Sequence, residues 1–309
     1  MSGTERGEVA AVVLNHRRAD DTIRCVESLR ASEGIRPRII VVDNGSGDDS
    51  AERIEAACPG IELIRSASNR GYAGGNNLGI SAALRGGAEQ VLVLNNDCVV
   101  APDTLYLMVE AARRLGADIV SPKVLDFGKR GVIQYAGYRN IHILAQGVPV
   151  GEGERDTGGF SEEREMNAAP GCAMLLSRRL CEEVGLFDEQ FFAYSEELDL
   201  CRRARRKGLT IVFVPRARVW HEKAATLSEG SPDYVYHLTR GRLIYARKHL
   251  GWPAFLFVFL PYFISVKIVK PCILYLLKRR CRNIKALWRA VGWNLRNRVR
   301  REGLNVKLR

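Results

Sequence analysis

Leu92-Val93-Leu94-Asn95-Asn96-Asp97 is an apolar run that stops abruptly on a carboxylate flanked by two amides. With Gln90 and Val91 it is too short for a helix and too apolar for a surface strand, so it reads as a strand buried on both faces. Ligands of open α/β sheets gather beyond the carboxyl ends of the strands. Asp97 therefore falls where a ligand would sit. A hard divalent cation commonly takes only one or two protein carboxylates and completes its shell with phosphate oxygens.

Outward from this strand the pattern repeats. Short apolar runs at 9–14, 38–42 and 61–64 alternate with helical spacing at 20–30 and 49–57. The Gly- and Asn-rich stretch 69–79 reads as a loop opening a helix that runs to about 84. Strands alternating with helices imply a parallel sheet with right-handed crossovers. The stretch 124–164 is loop-rich. Regular spacing returns with a strand at 171–176, helices at 178–184 and 195–207, a strand at 210–214 and a helix at 232–250.

The chemistry then changes. Residues 252–266 carry no charge and 271–277 are again apolar, separated by Lys267 and Lys270 and interrupted by Pro253, Pro261 and Pro271. A clean bilayer crossing needs about 20 apolar residues. Two shorter runs fit a helix lying in the membrane interface, or a re-entrant hairpin, better than a simple span; a buried helix pair is the bland alternative. The chain carries a net charge of +12, yet 278–309 alone hold twelve Lys and Arg against the single acid Glu302. Basic segments beside apolar ones attract anionic lipid. Two units follow: 1–250 as the catalytic domain and 251–309 as a membrane-associating region. The polar residues 1–8 contain no apolar signal run, and the eight cysteines show no CxxC pair or framework spacing. Both point to reduced thiols and a cytoplasmic location.

Several polar residues are candidates for function. Asp43 ends the second strand in Asp43-Asn44-Gly45-Ser46. Turn chemistry alone explains that composition, but a carboxylate there also suits the imide N–H of a pyrimidine ring. The 69–79 stretch lacks the lysine of a phosphate-binding P-loop and the spacing of a dinucleotide fingerprint. Glu196, Glu197 and Asp199 open a helix whose later turns are basic, an order that the helix dipole favours by itself. The aromatic approach Phe187-Asp188-Glu189-Gln190-Phe191-Phe192-Ala193-Tyr194 adds something different. Apolar rings raise a carboxylate pKa and suit it to general-base work. His221 is a candidate second metal ligand beside Asp97.

In this order the segments resemble glycosyltransferase family 2, the inverting sugar transferases of the GT-A fold. The resemblance rests on Val12-Val13-Leu14-Asn15, Val41-Val42-Asp43-Asn44-Gly45-Ser46, Asn69-Arg70-Gly71-Tyr72-Ala73-Gly74-Gly75-Asn76, Leu94-Asn95-Asn96-Asp97, Gly171-Cys172-Ala173-Met174-Leu175, Phe192-Ala193-Tyr194-Ser195-Glu196-Glu197-Leu198-Asp199-Leu200-Cys201 and Val219-Trp220-His221. It covers about residues 9–250. The Asn-Asn-Asp form is similar to the rhamnosyltransferase-like branch. The resemblance implies an α/β GT-A nucleotide-sugar-binding fold with a mostly parallel central sheet, followed by C-terminal membrane-associating helices. It implies that Asn15, Asp43, Asn69, Gly71, Gly74, Asn76 and Asn96 surround the nucleotide. Asp97 and His221 would hold Mg²⁺ or Mn²⁺ on the donor diphosphate. Glu197 stands where the family pattern has an aspartate base, which leaves the base between Glu197 and Glu196. The expected partners are a dTDP- or UDP-sugar donor, a saccharide or polyprenyl-linked saccharide acceptor and the cytoplasmic face of the cell membrane, but no nucleic acid. A nucleotidyltransferase would share the metal-binding carboxylate. A non-enzymatic module would use the basic tail, with Trp288 and Trp293, on lipid or nucleic acid.

Overall fold

The computed structural model describes residues 9–222 and 230–300; the polar N-terminus and the last basic residues of the tail lie outside them. The alternation seen in the sequence becomes β1 (Val9–Asn15), α1 (Ala19–Arg30), β2 (Arg38–Asp43), α2 (Ser50–Ala57), β3 (Glu62–Arg65), α3 (Gly71–Arg85) and β4 (Gln90–Asn95). Strands β3-β2-β1-β4 lie side by side and parallel. Side chains alternate across this sheet. Val12, Ile40 and Val42 join the core beneath α3, while Val13, Val41 and Leu94 join the core beneath α1 and α2. Burial on both faces is what makes β1, β2 and β4 nearly continuous apolar runs, whereas the edge strand β3 is only partly buried.

Beyond β4 the sheet becomes mixed. Next come β5 (Cys98–Val100), α4 (Thr104–Leu115), β6 (Ile119–Asp126) and β7 (Ile133–Tyr135), then the hairpin β8 (Tyr138–Ile141) and β9 (Gln146–Pro149), with β10 (Arg164–Glu165) after it. Strand β11 (Ala173–Ser177) is inserted antiparallel between β4 and β6. Helices α5 (Arg178–Glu183) and α6 (Glu196–Arg206) follow, then β12 (Ile211–His221), parallel to β6. The sequence suggests a strand that ends at Val214, before Pro215. The structure keeps one strand, with an irregularity in register between Val214 and Arg218, because a bulge accommodates a residue that cannot donate to the ladder.

The glycine-rich stretch also differs from expectation. It is helical from Gly71 onward, not a loop. A Cβ on Gly75 would lie 2.4 Å from Leu14 Cδ1, and one on Gly79 would lie 2.4 Å from Val12 Cγ1. These glycines let α3 sit directly on β1.

Helix α7 (Pro232–His249) leads to α8, which runs unbroken through Trp252–Leu277. The prolines do not divide it. In a regular α-helix a proline ring strikes the carbonyl four residues earlier. For Pro261 and Pro271 those residues are Phe257 and Lys267, and both lie in π-helical stretches, Phe255–Phe259 and Phe263–Val269. The wider turns relieve the clash. By length and composition α8 is sufficient to cross a bilayer. Its packing is along the domain, however. Phe259, Phe263 and Ile268 are buried in the hydrophobic core, with Phe255, Cys272 and Tyr275 against it, while Leu256, Phe257, Ile264, Ile273 and Leu277 are exposed. The last helix, α9 (Cys281–Arg296), folds back onto α7, where Arg240 stacks over Trp293 at 4.1 Å. All eight cysteines are free thiols.

Candidate active site

The short strand β5 brings the two expected metal ligands together. It pairs antiparallel with the end of β12, with Cys98 opposite His221. The Glu222 N–H donates to the Asp97 carbonyl at 3.0 Å. His221 Nε2 lies 3.3 Å from Asp97 Oδ1, and both residues are buried. Gln134 fixes the imidazole. Its amide N–H donates to the His221 carbonyl at 2.8 Å, so its oxygen faces Nδ1, also at 2.8 Å. An amide oxygen only accepts, so Nδ1 carries a proton and the ring turns Nε2 toward Asp97. Asp97 Oδ1 is buried and accepts no hydrogen bond, which leaves a carboxylate oxygen beside the imidazole for a cation. A buried carboxylate with an oriented imidazole, open to phosphate oxygens, fits Mn²⁺ or Mg²⁺. Cys98 Sγ lies near both ligands, but a hard cation prefers their oxygen and nitrogen.

The second group opens α6. Phe192, Tyr194 and Ser195 all adopt positive φ, at 67°, 68° and 77°. Such conformations cost about 1–3 kcal/mol each and persist only where the surroundings impose them. Two glycines make room for this loop. A Cβ on Gly71, whose φ is +70°, would lie 2.3 Å from the Phe192 carbonyl oxygen, and one on Gly241 would lie 2.4 Å from that of Tyr194. The loop aims the first turn of α6 inward. Burial pushes the Glu197 carboxyl up to about 7. Burial and the Glu197 charge hold Glu196 well above the usual carboxylate range, and Glu196 Oε2 has no hydrogen-bond partner.

Asp199 does not belong with them. Two residues beyond Glu197, it points to nearly the opposite side of the helix. There it meets Lys248 at 2.8 Å, Arg203 at 2.8 Å and His249 at 2.7 Å, while Lys248 also reaches Asp188 at 2.6 Å. Burial alone would raise its pKa, but Arg203, the His249 hydrogen bond and Lys248 hold it far below the usual range.

Asp97, His221, Glu196 and Glu197 line one cavity of about 350 Å³. A neighbouring cavity of about 310 Å³ is lined by Asn69, Gly71 and Asn96, and shares Tyr72, Asn95, Tyr194 and Glu196 with the first. The other expected nucleotide residues lie elsewhere. Asn15 donates to Asp43 at 2.8 Å and accepts from Thr22 at 2.8 Å, and Ser46 also binds Asp43. Asn15 and Asp43 thus brace the β2 turn and line neither cavity. Gly74 and Asn76 line neither cavity. Gly74 faces Arg70 and Glu189, and Asn76 hydrogen-bonds back to the Tyr72 carbonyl at 3.0 Å, because both sit inside α3 rather than in a loop.

Sequence reasoning missed Gln134, Tyr72, whose hydroxyl binds the Gly171 carbonyl, and Arg242, which lines the larger cavity. Only Tyr72 lies in a stretch with any recognisable signal.

The profile of Glycosyl transferase family 2 matches residues 10–185. The chain is 26% identical over 219 residues to the low-salt glycan biosynthesis hexosyltransferase Agl10 of Haloferax volcanii, covering 66% of this chain and 64% of that protein. Over 236 residues it is 28% identical to an N-acetylglucosaminyl-diphospho-decaprenol L-rhamnosyltransferase of Mycobacterium tuberculosis, covering 69% and 76%. Among solved structures, GalNAc-T7 with UDP, GalNAc and Mn²⁺ aligns with a TM-score of 0.61 at 16% identity, over 96% of this chain and 58% of that one. The mannosyltransferase PcManGT of Pyrobaculum calidifontis, in complex with GDP-Man and Mn²⁺, aligns at 0.56 and 15%, over 95% and 88%. Such identities establish the fold alone: a GT-A-like sheet. The profile match covers more than half of the chain and the relatives are sugar transferases, so this protein is a glycosyltransferase belonging to glycosyl transferase family 2.

Proposed function

We propose that the enzyme moves a hexosyl or deoxyhexosyl group, with inversion, from a dTDP- or UDP-sugar to a hydroxyl of a lipid-linked saccharide at the cytoplasmic face of a membrane. The observation that carries this is the single cavity lined by both Asp97–His221 and Glu197. When bound at Asp97 and His221, Mg²⁺ or Mn²⁺ supplies charge neutralisation for the departing nucleoside diphosphate. Glu197 takes the proton of the acceptor hydroxyl while that oxygen bonds to the anomeric carbon and the bond from that carbon to the diphosphate oxygen breaks. One displacement inverts the centre. The leaving diphosphate needs no general acid, which leaves Glu196, neutral and aimed at the shared wall of the two cavities, to donate a hydrogen bond. The smaller cavity suits the nucleoside, with His237 stacked on Phe192 at 4.9 Å along its wall.

The donor half of this proposal is tested by thermal unfolding with nucleoside diphosphates. Ligand at 100 times its Kd stabilises by about 2.7 kcal/mol. dTDP or UDP with Mn²⁺ is expected to raise Tm, and Asp97→Ala to abolish the increase. A nucleotidyltransferase would instead release pyrophosphate, so the identity of the product separates the two. Indifference of the wild type to every nucleoside diphosphate would end the proposal.

The membrane half rests on α8 and α9. A helix that packs one side on a folded domain through Phe259, Phe263 and Ile268 and keeps an apolar outer face suits a membrane interface. The outer face of α9 adds Arg282, Lys285, Trp288 and Arg289, all exposed. The chain should float with anionic vesicles, and the pair Leu256→Asp and Phe257→Asp should leave it at the bottom of the gradient. Wild-type protein that stays at the bottom contradicts this part.

A further inference from the structure

Most basic side chains that α7 sends into the protein are matched. Lys248 has Asp188 and Asp199. Arg247 donates to the carbonyls of Asn294 and Asn297, and Arg240 donates to that of Gln190 and stacks on Trp293. Arg242 is different. It lines the same cavity as Glu197, and among the described residues it has no carboxylate partner. Its electrostatic neighbours are the rings of Tyr138, Tyr234 and Tyr262. An uncompensated guanidinium in such a place costs stability, and its five-donor fork matches phosphate oxygens in bidentate fashion.

A second cation converges on the same point. Lys267 of α8 places Nζ 5.4 Å from the centre of the Tyr262 ring. It also lies within electrostatic reach of Arg242. Tyr262 is a neighbour of both cations, so α8 brings Lys267 to the side of the cavity that Arg242 lines. The donor diphosphate already has Asp97 and His221. The anion that suits this pair is one joined on one side to a sugar that reaches Glu197 and on the other to a hydrocarbon chain that follows the apolar face of α8.

We propose that Arg242 and Lys267 form a second anion subsite that holds the diphosphate of a lipid-linked acceptor, with the lipid chain running along α8. This rests on the glycosyl-transfer reading above. Arg242 provides the bidentate contact and Lys267 a point charge. Together they fix how far the acceptor sugar extends toward the base.

The test uses the full chain in mild detergent, with farnesyl diphosphate below its micelle concentration as the probe and tryptophan fluorescence as the readout. Arg242→Gln should weaken binding at least tenfold and the double variant with Lys267→Gln further, while Arg242→Lys retains part of the affinity. Binding of UDP with Mn²⁺ should stay within twofold throughout, which also shows that the variants are folded. No binding by the wild type, or a double variant within threefold of it, overturns the proposal. So does inorganic pyrophosphate binding as tightly as the prenyl compound, which would mark a free-anion site. A parallel loss of binding to phosphatidylglycerol vesicles would assign the cations to bulk lipid and likewise overturn it. If the wild type fails to bind UDP with Mn²⁺, the glycosyl-transfer reading falls as well; if only the farnesyl probe fails, this inference falls alone.

Discussion

Glu197→Gln lowers kcat by roughly 10²–10⁴-fold, the usual contribution of a positioned general base, and leaves the affinity for UDP with Mn²⁺ unchanged. Glutamine keeps the shape but cannot take a proton. In the wild type, kcat/KM should rise tenfold per pH unit and level off near 7, the value to which burial pushes this carboxyl. In the variant that rising limb disappears. Single-turnover measurements across pH 5–9 check both. If the glutamine variant keeps its rate and Glu196→Gln loses it, the base is Glu196, the alternative that the sequence left open.

The same substitution has an opposite effect on stability. The folded Glu197 pKa lies above its unfolded value of 4.5. The ionised form is therefore disfavoured by the fold, and the penalty grows as pH rises from about 4.5 through about 7, then levels off. A tenfold change in a carboxyl's proton affinity on folding is worth about 1.4 kcal/mol. The glutamine variant should thus melt higher than the wild type at pH 8 and equally at pH 4. Lost activity with raised Tm is a signature that a damaged fold cannot produce.

Asp199→Ala is expected to cost about 3–5 kcal/mol of unfolding free energy, the range for removing one partner of a buried ion pair. It leaves Lys248, Arg203 and His249 facing each other without their common anion. The wild-type contribution is present above the unfolded carboxylate pKa of 3.8 and is lost as pH falls below it, since the folded pKa is depressed. Urea unfolding at pH 7 should show a lower midpoint at unchanged slope. A midpoint change worth less than about 1 kcal/mol would mean that the network contributes little. This carboxylate joins α6 to α7, so the lesion also loosens the helix that presents Glu197.

The sequence and the structure part at identifiable places. Strands β1, β2 and β4 were legible because burial on both faces demands continuous apolar runs; the edge strand β3 is only partly buried and was legible by its place in the alternation. Asp97 was legible because such a run stops on it. Glu196 and Glu197 were legible as a cluster, but Asp199 was grouped with them because spacing along a chain does not show which side of a helix is packed. The glycines of α3 resembled a loop, since glycine is a poor helix former. Their role in close contact with β1 is tertiary and leaves no local trace. The prolines of α8 resembled breaks, because only the packed helix reveals turns wide enough to hold them. Strand β5 has three residues, below the reach of any periodicity, yet its pairing with β12 is what makes a site of Asp97 and His221. Gln134 and Arg242 act through position alone.

That β5–β12 pairing has a consequence for how the enzyme matures. Its ligands are separated by more than a hundred residues of chain, and closing so long a loop is entropically unfavourable until most of the intervening contacts exist. The strand carrying His221 docks beside β6, whose own neighbour β11 comes from a segment in between. The nascent chain therefore cannot bring Asp97 and His221 together until its sheet is almost entirely assembled, so under the function proposed above a polypeptide stalled short of β12 would lack the donor site.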